Sequence, residues 1–137
     1  SKVENSLNNK LKVVFCIGEN KEHKLNNKTF KVLENQIKNV LEEKFNYKDI
    51  IVAYEPIWSI GTGQIPAADD LLKTTIFIKK TLKNIFKKSS PVVLYGGSVD
   101  GKNIGQFKKL NEIDGFLIGG ASKSDKNFID IIKNYYR

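Results

Sequence analysis

Four short apolar runs recur along the chain. They occupy residues 13–17, 50–54, 91–95 and 116–118, and they are rich in β-branched and aromatic side chains with almost no charge. Runs of this length and composition predict strands that are buried on both faces. The single cysteine, Cys16, lies inside the first run, so we expect it to be a reduced residue of the core.

Apolar residues at spacings of three and four fill the gaps between these runs and predict amphipathic helices. The segments with this spacing are residues 30–41, 71–86, 104–110 and 128–135. Asp69 and Asp70 precede the longest of them, where acidic side chains suit the first turn of a helix. Residues 2–9 are expected to be the end of a further helix. His23, the only histidine, lies in a polar stretch at 20–28 that we interpret as a solvated loop.

Strand and helix patterns alternate along the sequence, which indicates one α/β domain over residues 1–137. Alternation of this kind implies parallel strands joined by right-handed crossovers. Two architectures fit: an open doubly wound sheet, and part of a (β/α)₈ barrel. Both place a functional site at the carboxyl ends of the strands, and nearly all of the 10 glycines lie at or just after those ends.

The positive net charge suggests nucleic acid as a possible partner, but the type of basic residue argues against it. The formal net charge is +8, but all of the 23 basic residues except Arg137 are Lys, spread over most of the chain. Arginine is the residue that reads base edges and grips phosphates with two bonds, so a solvated Lys-rich surface is the favoured interpretation. With one His and one Cys, no metal site is expected.

Two further classes of protein are disfavoured by the sequence. No apolar stretch approaches the length needed to cross a membrane, and the first residues lack the charged-then-apolar pattern of a signal peptide. We therefore expect a soluble cytoplasmic protein without a membrane partner, with an organellar location left open.

The segment at 53–63 combines an acid at a strand end with a loop that is able to move. Glu55 directly follows the second apolar run, where a carboxylate is a candidate general base. Pro56 fixes the backbone beyond the acid, Trp58 offers a large anchor, and the Gly-Thr-Gly at 61–63 provides a small tip. Such a loop can close over a reacting carbanion and exclude water. The alternatives are a Glu that pairs with one of the many Lys, and an ordinary βα loop with a packing Trp.

Two glycine pairs supply candidate anion sites. Gly96 and Gly97 precede Ser98 after the third apolar run, and Gly119 and Gly120 follow the fourth. Unhindered backbone amides ahead of a helix can hold a phosphate. One such pair is weak evidence, since tight turns use glycine without any ligand, but phosphate sites in barrels often lie between the last two loops.

Four ordered strings of this sequence resemble the C-terminal half of triosephosphate isomerase. They cover residues 15–19, 53–63, 95–99 and 114–122, and the resemblance extends over essentially the whole chain. It implies the last four βα units of a (β/α)₈ TIM barrel, as a single partial domain. It also implies interconversion of dihydroxyacetone phosphate and glyceraldehyde 3-phosphate, a step of glycolysis and gluconeogenesis, with no cofactor.

The resemblance implies a role for each matching residue. Glu55 would be the base that moves a proton between two carbons of the triose phosphate through an enediolate. The backbone amides of Gly61, Ser98, Gly119 and Gly120 would hold the substrate phosphate. The lid and its hinges would comprise Pro56, Ile57, Trp58, Gly63, Gln64, Ile65 and Pro66.

The resemblance also implies partners for the lid. Trp58 and Glu19 resemble the pair that meets when the lid is open. Tyr95 and Ser98 resemble the latches that hold the lid when it is closed.

The chain departs from the family at two points and lacks motifs that the family places earlier. The trailing hinge at 64–66 reads Gln-Ile-Pro where many members have Lys-Thr-Ala, and residues 24–27 lack an Arg-Glu-Ala-Gly string often found there. The Asn-x-Lys motif, the electrophilic His and the loop of the usual homodimer contact would lie on strands that precede this chain.

We therefore expect the isolated chain to be nearly inactive and to need a preceding half-barrel, or a second subunit, as its partner. Two alternatives stay open. One is a half-barrel that binds phosphate without chemistry, and the other is a Lys-rich binder of nucleic acid, which salt-dependent DNA binding would reveal.

Overall fold

A computed structural model describes residues 1–87 and 89–136; Arg137, the only arginine, lies outside the described residues. Its strands are β1 (Val13–Ile17), β2 (Ile50–Tyr54), β3 (Val92–Tyr95) and β4 (Gly115–Phe116). Its α-helices are α1 (Lys2–Asn8), α2 (Lys21–Leu25), α3 (Thr29–Lys38), α4 (Ala68–Phe86) and α5 (Asp125–Tyr136).

The four strands form one parallel sheet in the order β1-β2-β3-β4. Residues in register across it are Cys16, Ala53, Leu94 and Gly115. A sequential order is that of a barrel segment, whereas a doubly wound sheet reverses its order at a switch point. The predicted class is confirmed: α/β with parallel strands, flanking helices and the order of a partial (β/α)₈ barrel.

One face of the sheet carries the hydrophobic core. Val52, Tyr54 and Val93 alternate along their strands with residues of the other face and are almost fully buried. The same cluster contains the fully buried helix residues Leu33, Ile37, Leu71, Ile78 and Leu82. Because burying one such side chain contributes ~1.5–3 kcal/mol, these stripes are sufficient to hold α3 and α4 on the sheet.

The opposite face of the sheet is open at β1 and β3, so the expectation of strands buried on both faces is wrong for these two strands, whereas β2 is largely buried on both faces. Val14 and Val92 are 48% and 46% exposed, and Cys16, expected in the core, is exposed too. Nothing within residues 1–87 and 89–136 covers these positions. The strands therefore carry apolar side chains on this face that the described residues leave exposed.

The fourth βα unit is less regular than the sequence predicts. β4 contains only two residues and starts one residue before the predicted run at 116–118. The segment at 104–110 forms a 3₁₀ turn at Ile104–Phe107 rather than an α-helix. The Asp100 carboxylate accepts hydrogen bonds from the two amides that follow Gly101, which sets a tight turn just before that segment.

Residues Lys21–Leu25 of the polar stretch after β1 form a short helix, so the interpretation of a loop is wrong there, although most of the stretch is exposed as expected. Asn20 caps α2, since its Oδ1 accepts a hydrogen bond from the His23 amide at 2.8 Å. His23 lies in this helix and its side chain is half-buried. Asn27, with a φ of 54°, lies in the left-handed region that follows many helix ends.

Helix α5 has an uncovered apolar side. Phe128 and Ile132, which belong to its predicted stripe, are exposed, and only Ile131 of this helix is buried.

None of the helices in the described ranges has both the length and the apolar character needed to span a membrane.

Candidate functional site

Glu55 lies at the carboxyl edge of the sheet, as predicted. The strand ladder continues past the strand ends, because the Glu55 amide donates to the Ile17 carbonyl at 2.7 Å and the Gly96 amide donates to the Tyr54 carbonyl at 2.9 Å. A Cβ built on Gly96 would lie 2.7 Å from Glu55 Oε1. The Glu55 side chain therefore runs over the first glycine after β3, in the space that a larger residue there would fill.

The Cys16 thiol lies beside the Glu55 carboxylate on the open face of the sheet. Partial desolvation, and then the negative charge of Glu55, raise the pKa of this thiol above its ordinary value. The thiol is therefore a protonated neighbour of the carboxylate at neutral pH rather than a thiolate.

The turn after β1 is held by the side chain of Gln36, which was not among the residues predicted from the sequence. Gln36 on α3 accepts a hydrogen bond from the Gly18 amide at 2.9 Å and donates one to the Gly18 carbonyl at 3.0 Å. These two hydrogen bonds to a single residue fix the turn that connects β1 to Glu19. No local signal marks Gln36, which lies on a helix and acts across the fold.

The start of the 56–66 loop is anchored on Glu19. This carboxylate is only 1% exposed. It accepts hydrogen bonds from Trp58 Nε1 at 2.8 Å and from the Tyr54 hydroxyl at 3.1 Å, and its backbone carbonyl accepts from the Ile57 amide at 3.0 Å. Burying a carboxylate requires such partners, so the anchor is a fixed point for the loop.

Two residues next to the Glu19–Trp58 contact, Tyr54 and Lys24, interact with it through a buried hydroxyl and through a positive charge. Burial, and then the Glu19 carboxylate, raise the pKa of Tyr54 far above its ordinary value, so its hydroxyl stays a donor. The Lys24 ammonium lies 3.9 Å from the centre of the Trp58 ring, in a cation–π contact. Lys24 belongs to the segment where the family string is missing, and in this chain it stacks on the loop tryptophan.

The tip of the loop consists of turns rather than regular helix. Gly61 and Gly63 have φ angles of 68° and 74°, in the left-handed region that glycine adopts without strain. Thr62 Oγ1 donates within the loop to the Trp58 and Ser59 carbonyls, each at 3.1 Å. These local bonds hold the tip together.

The far side of the loop rests on the turn after β3. Ser98 Oγ donates to the Ser59 carbonyl at 2.6 Å and accepts from the Gly63 amide at 3.2 Å. Ser59 Oγ lies 3.2 Å from the Tyr95 hydroxyl and donates to the Gln64 carbonyl at 2.5 Å. Ser59 was not selected from the sequence, because its partners are far away along the chain and a loop serine carries no pattern.

The two sets of loop contacts coexist. Trp58 bonds to Glu19 while Ser98 bonds to Ser59 and Gly63 in the same structure. The contacts expected of an open lid and of a closed lid thus occur together, and the assignment of each contact to one lid state stays a prediction.

The trailing end of the loop is packed rather than free. Pro66 is buried and Ile65 packs against the hydrophobic core, while the Gln64 carbonyl is bonded to Ser59. The Gln-Ile-Pro hinge thus leads directly from the loop into α4, whose acidic first turn begins after Ala67.

The candidate phosphate amides differ in availability. The Ser98 amide donates to Ser59 Oγ at 3.3 Å, so it is engaged inside the protein. Gly119 and Gly120 are exposed at the start of a 3₁₀ turn, and their amides donate no hydrogen bond within the described part of the chain. Gly61, at the loop tip, is exposed as well.

The described residues offer no obvious place for a metal ion. Across 1–87 and 89–136, no three His, Cys, Asp or Glu side chains are grouped so that they could hold one. The polar features at this edge of the sheet are the Glu55 carboxyl, the backbone amides of the glycine turns and the 56–66 loop.

Comparison with known proteins identifies the family of the chain. The family model described as triosephosphate isomerase matches residues 1–135. A protein named triosephosphate isomerase from Thermodesulfovibrio yellowstonii is 41% identical over 125 residues, which cover 90% of this chain and 51% of that protein. Those from Yarrowia lipolytica and Saccharomyces cerevisiae are 40% identical over 135 residues and 42% identical over 125 residues.

These matches cover 97% and 89% of this chain, but 54% and 50% of the two relatives. The chain thus spans about half the length of the curated relatives it matches. It belongs to the triosephosphate isomerase family.

Proposed function

We propose that this chain supplies the base, the mobile loop and the phosphate-binding turns of a triosephosphate isomerase. The observation that carries the proposal is the position of the Glu55 carboxyl, over Gly96 at the carboxyl edge of the sheet and next to the 56–66 loop. Membership of the family supports it, and so do the names of the relatives.

In the proposed reaction, the Glu55 carboxylate removes a proton from the carbon next to the carbonyl of dihydroxyacetone phosphate. The electron pair of that C–H bond forms a carbon–carbon double bond, and the carbonyl electron pair moves onto its oxygen, which gives an enediolate. The Glu55 carboxylic acid then returns its proton to the neighbouring carbon, while the proton of the first carbon's hydroxyl passes to the former carbonyl oxygen, so that the first carbon becomes the aldehyde of glyceraldehyde 3-phosphate. No electrons are gained or lost, so the reaction balances without a redox cofactor.

The loop and the glycine turns have separate proposed roles. The amides of Gly61, Ser98, Gly119 and Gly120 hold the phosphate, since backbone amides without side chains suit an anion. The 56–66 loop covers the enediolate and excludes water, so that the phosphate is not lost by elimination. Its anchoring at Glu19 and Ser98 supports this role.

We also propose that a preceding half-barrel covers the open face of the sheet. Val14, Val92 and Cys16 are exposed there, and β1 and β4 are both edge strands of the described sheet. Exposed apolar faces and unpaired parallel edges favour association. A partner of this kind would also bring the groups that polarise the substrate carbonyl, which the proposed reaction needs in addition to Glu55.

The test is an isomerase assay of the isolated chain and of the chain completed with the preceding half of the Saccharomyces cerevisiae relative. We expect the isolated chain to be nearly inactive and the completed protein to turn over. Inorganic phosphate binding by a completed protein that does not isomerise would favour the alternative, a phosphate-binding module. A completed protein that folds but neither binds phosphate nor isomerises would contradict the proposal.

A further inference from the structure

The Ser59 hydroxyl joins three parts of the molecule at one buried point. Ser59 is 0% exposed. Its Oγ donates to the Gln64 carbonyl at 2.5 Å, contacts the Tyr95 hydroxyl at 3.2 Å and accepts from the Ser98 amide at 3.3 Å. We propose that this hydroxyl is the lock of the 56–66 loop, which holds the loop against the turn after β3 and must release its partners together when the loop opens.

The donor and acceptor count fixes the direction of each bond. A serine hydroxyl has one proton and two lone pairs. The Gln64 carbonyl can only accept a hydrogen bond, so the Ser59 proton is donated to Gln64. The Ser98 amide can only donate, so one lone pair of the Ser59 oxygen accepts from Ser98. The Tyr95 hydroxyl therefore donates its own proton to the second lone pair. The hydroxyl is fully used, and such a saturated buried network is released as a unit rather than bond by bond.

The lock connects the two ends of the loop. Ser59 lies near the start of the loop and Gln64 near its end, so their bond closes the loop on itself. Tyr95 and Ser98 belong to β3 and its following turn, so their bonds attach the closed loop to the sheet. Alanine at position 59 removes both connections made by the hydroxyl and leaves, among the described residues, only the Ser98 Oγ bonds to the Ser59 carbonyl and the Gly63 amide between the loop and this turn.

Neighbouring contacts provide a readout that does not contain the hydroxyl. The Gly63 amide donates to Ser98 Oγ, and the Thr62 amide donates to the Ser59 carbonyl at 3.4 Å. Alanine at position 59 leaves both acceptors in place. Faster exchange of these two amides would therefore report opening of the loop as a body.

The lock deepens the proposed function, and it rests on that function only for describing the loop as a lid. It is a positioning role, because Ser59 acts through Tyr95 and Ser98. Amide exchange needs no substrate and no completed barrel. An inactive completed protein with a working lock would thus count against the isomerase proposal alone, whereas an active one without the lock would count against this inference alone.

The experiment measures hydrogen exchange of the Gly63 and Thr62 amides by NMR in the 137-residue chain. The variants are Ser59→Ala, Tyr95→Phe and the double variant. We expect Ser59→Ala to speed exchange of both amides about tenfold, because the variant loses all three hydrogen bonds of the hydroxyl while Ser98 Oγ still holds part of the loop. Tyr95→Phe should speed it by a smaller factor, and the double variant should be no faster than Ser59→Ala, because both changes break the same network.

Ser122→Ala is the matched control. It removes a serine hydroxyl that bonds within another loop, to the Gly119 carbonyl at 2.7 Å, so exchange at Gly63 should stay unchanged. Unchanged exchange in Ser59→Ala, or factors that multiply in the double variant, would overturn the lock. If Ser59→Ala does not fold, Tyr95→Phe alone decides: an effect on Gly63 upholds the lock and no effect overturns it.

Discussion

Gly18 and Glu55 are in closer contact than any residue with a side chain at position 18 would allow. A Cβ built on Gly18 would lie 1.8 Å from the Glu55 carbonyl oxygen and 2.6 Å from its carbonyl carbon. Both atoms are backbone, so neither can rotate away. The turn after β1 therefore sets the position of the backbone that carries the proposed base.

Gly18→Ala should destabilise the protein by about 2–3 kcal/mol, because the clash forces β1 and β2 apart at their carboxyl ends. Urea denaturation followed by circular dichroism measures the change. Gly105→Ala is the control, since a Cβ there meets nothing within 4 Å, and it should stay within about 0.5 kcal/mol of the parent. Equal stability of the two variants would show that the contact is not rigid.

Gly96→Ala should act on the reaction rather than on the fold. The new Cβ would meet the Glu55 side chain at 2.6 Å, and a flexible side chain can move away at little cost in stability. In the completed protein we expect kcat to fall at least about tenfold, because a carboxylate displaced by an ångström is a poor base. An unchanged kcat with an intact fold would mean that Glu55 does not work in the position described.

Stability should fall at alkaline pH through three groups on or beside the site. Burial raises the pKa of Tyr54 and of Tyr95 above their ordinary value of 10.0, and that of Cys16 above 9.0. A raised folded-state pKa means that the unfolded chain loses its proton first. The contribution is therefore complete below pH 9 and is lost as pH rises from there toward the folded-state values.

Tyr54→Phe tests that dependence. At pH 7 it should cost about 1–2 kcal/mol, since the Glu19 carboxylate loses a buried hydrogen bond. The difference from the parent should shrink above pH 10, because phenylalanine has no proton to lose. Denaturation between pH 7 and pH 11, with the exposed Tyr136→Phe as control, measures it. A difference that stays constant over that range would contradict the assignment.

Lys24 should hold Trp58 through its charge. Lys24→Met keeps most of the aliphatic cover but loses the cation, and should loosen the indole by about 0.5–1 kcal/mol; Lys24→Arg should retain the contact. Acrylamide quenching of Trp58, the only tryptophan of the chain, reports the change. Quenching should rise in Lys24→Met and stay at the parent level in Lys24→Arg and in the distant Lys28→Gln. Equal quenching in Lys24→Met and Lys24→Arg would show that the charge is irrelevant.

The sequence predicts this fold well where structure is determined locally. β1 and β2 have the predicted bounds, because each is a β-branched apolar run with a clear change of character at both ends. The Asn20 cap, which starts α2, was available in the sequence and was overlooked in a polar stretch. The exposure of Cys16 was not predictable from its run, because burial of a strand face depends on what covers it.

The residues of the candidate site also differ in whether local sequence is enough to predict them. Glu55 and the glycines of the loop were predictable from their position at a strand end and from the resemblance of the segment. Gln36 and Ser59 were not, since each bonds to residues at least 18 positions away or across an element boundary. Such partners are known only when the chain is folded.

The most direct test of the account is the effect of Glu55→Gln on isomerisation by the completed protein. Glutamine keeps the shape of the side chain but cannot accept the proton, so kcat should fall by about 10²–10⁴ while the fold and inorganic phosphate binding stay unchanged. A Glu55→Gln protein that isomerises triose phosphate as fast as its parent would contradict the assignment of Glu55 as the base.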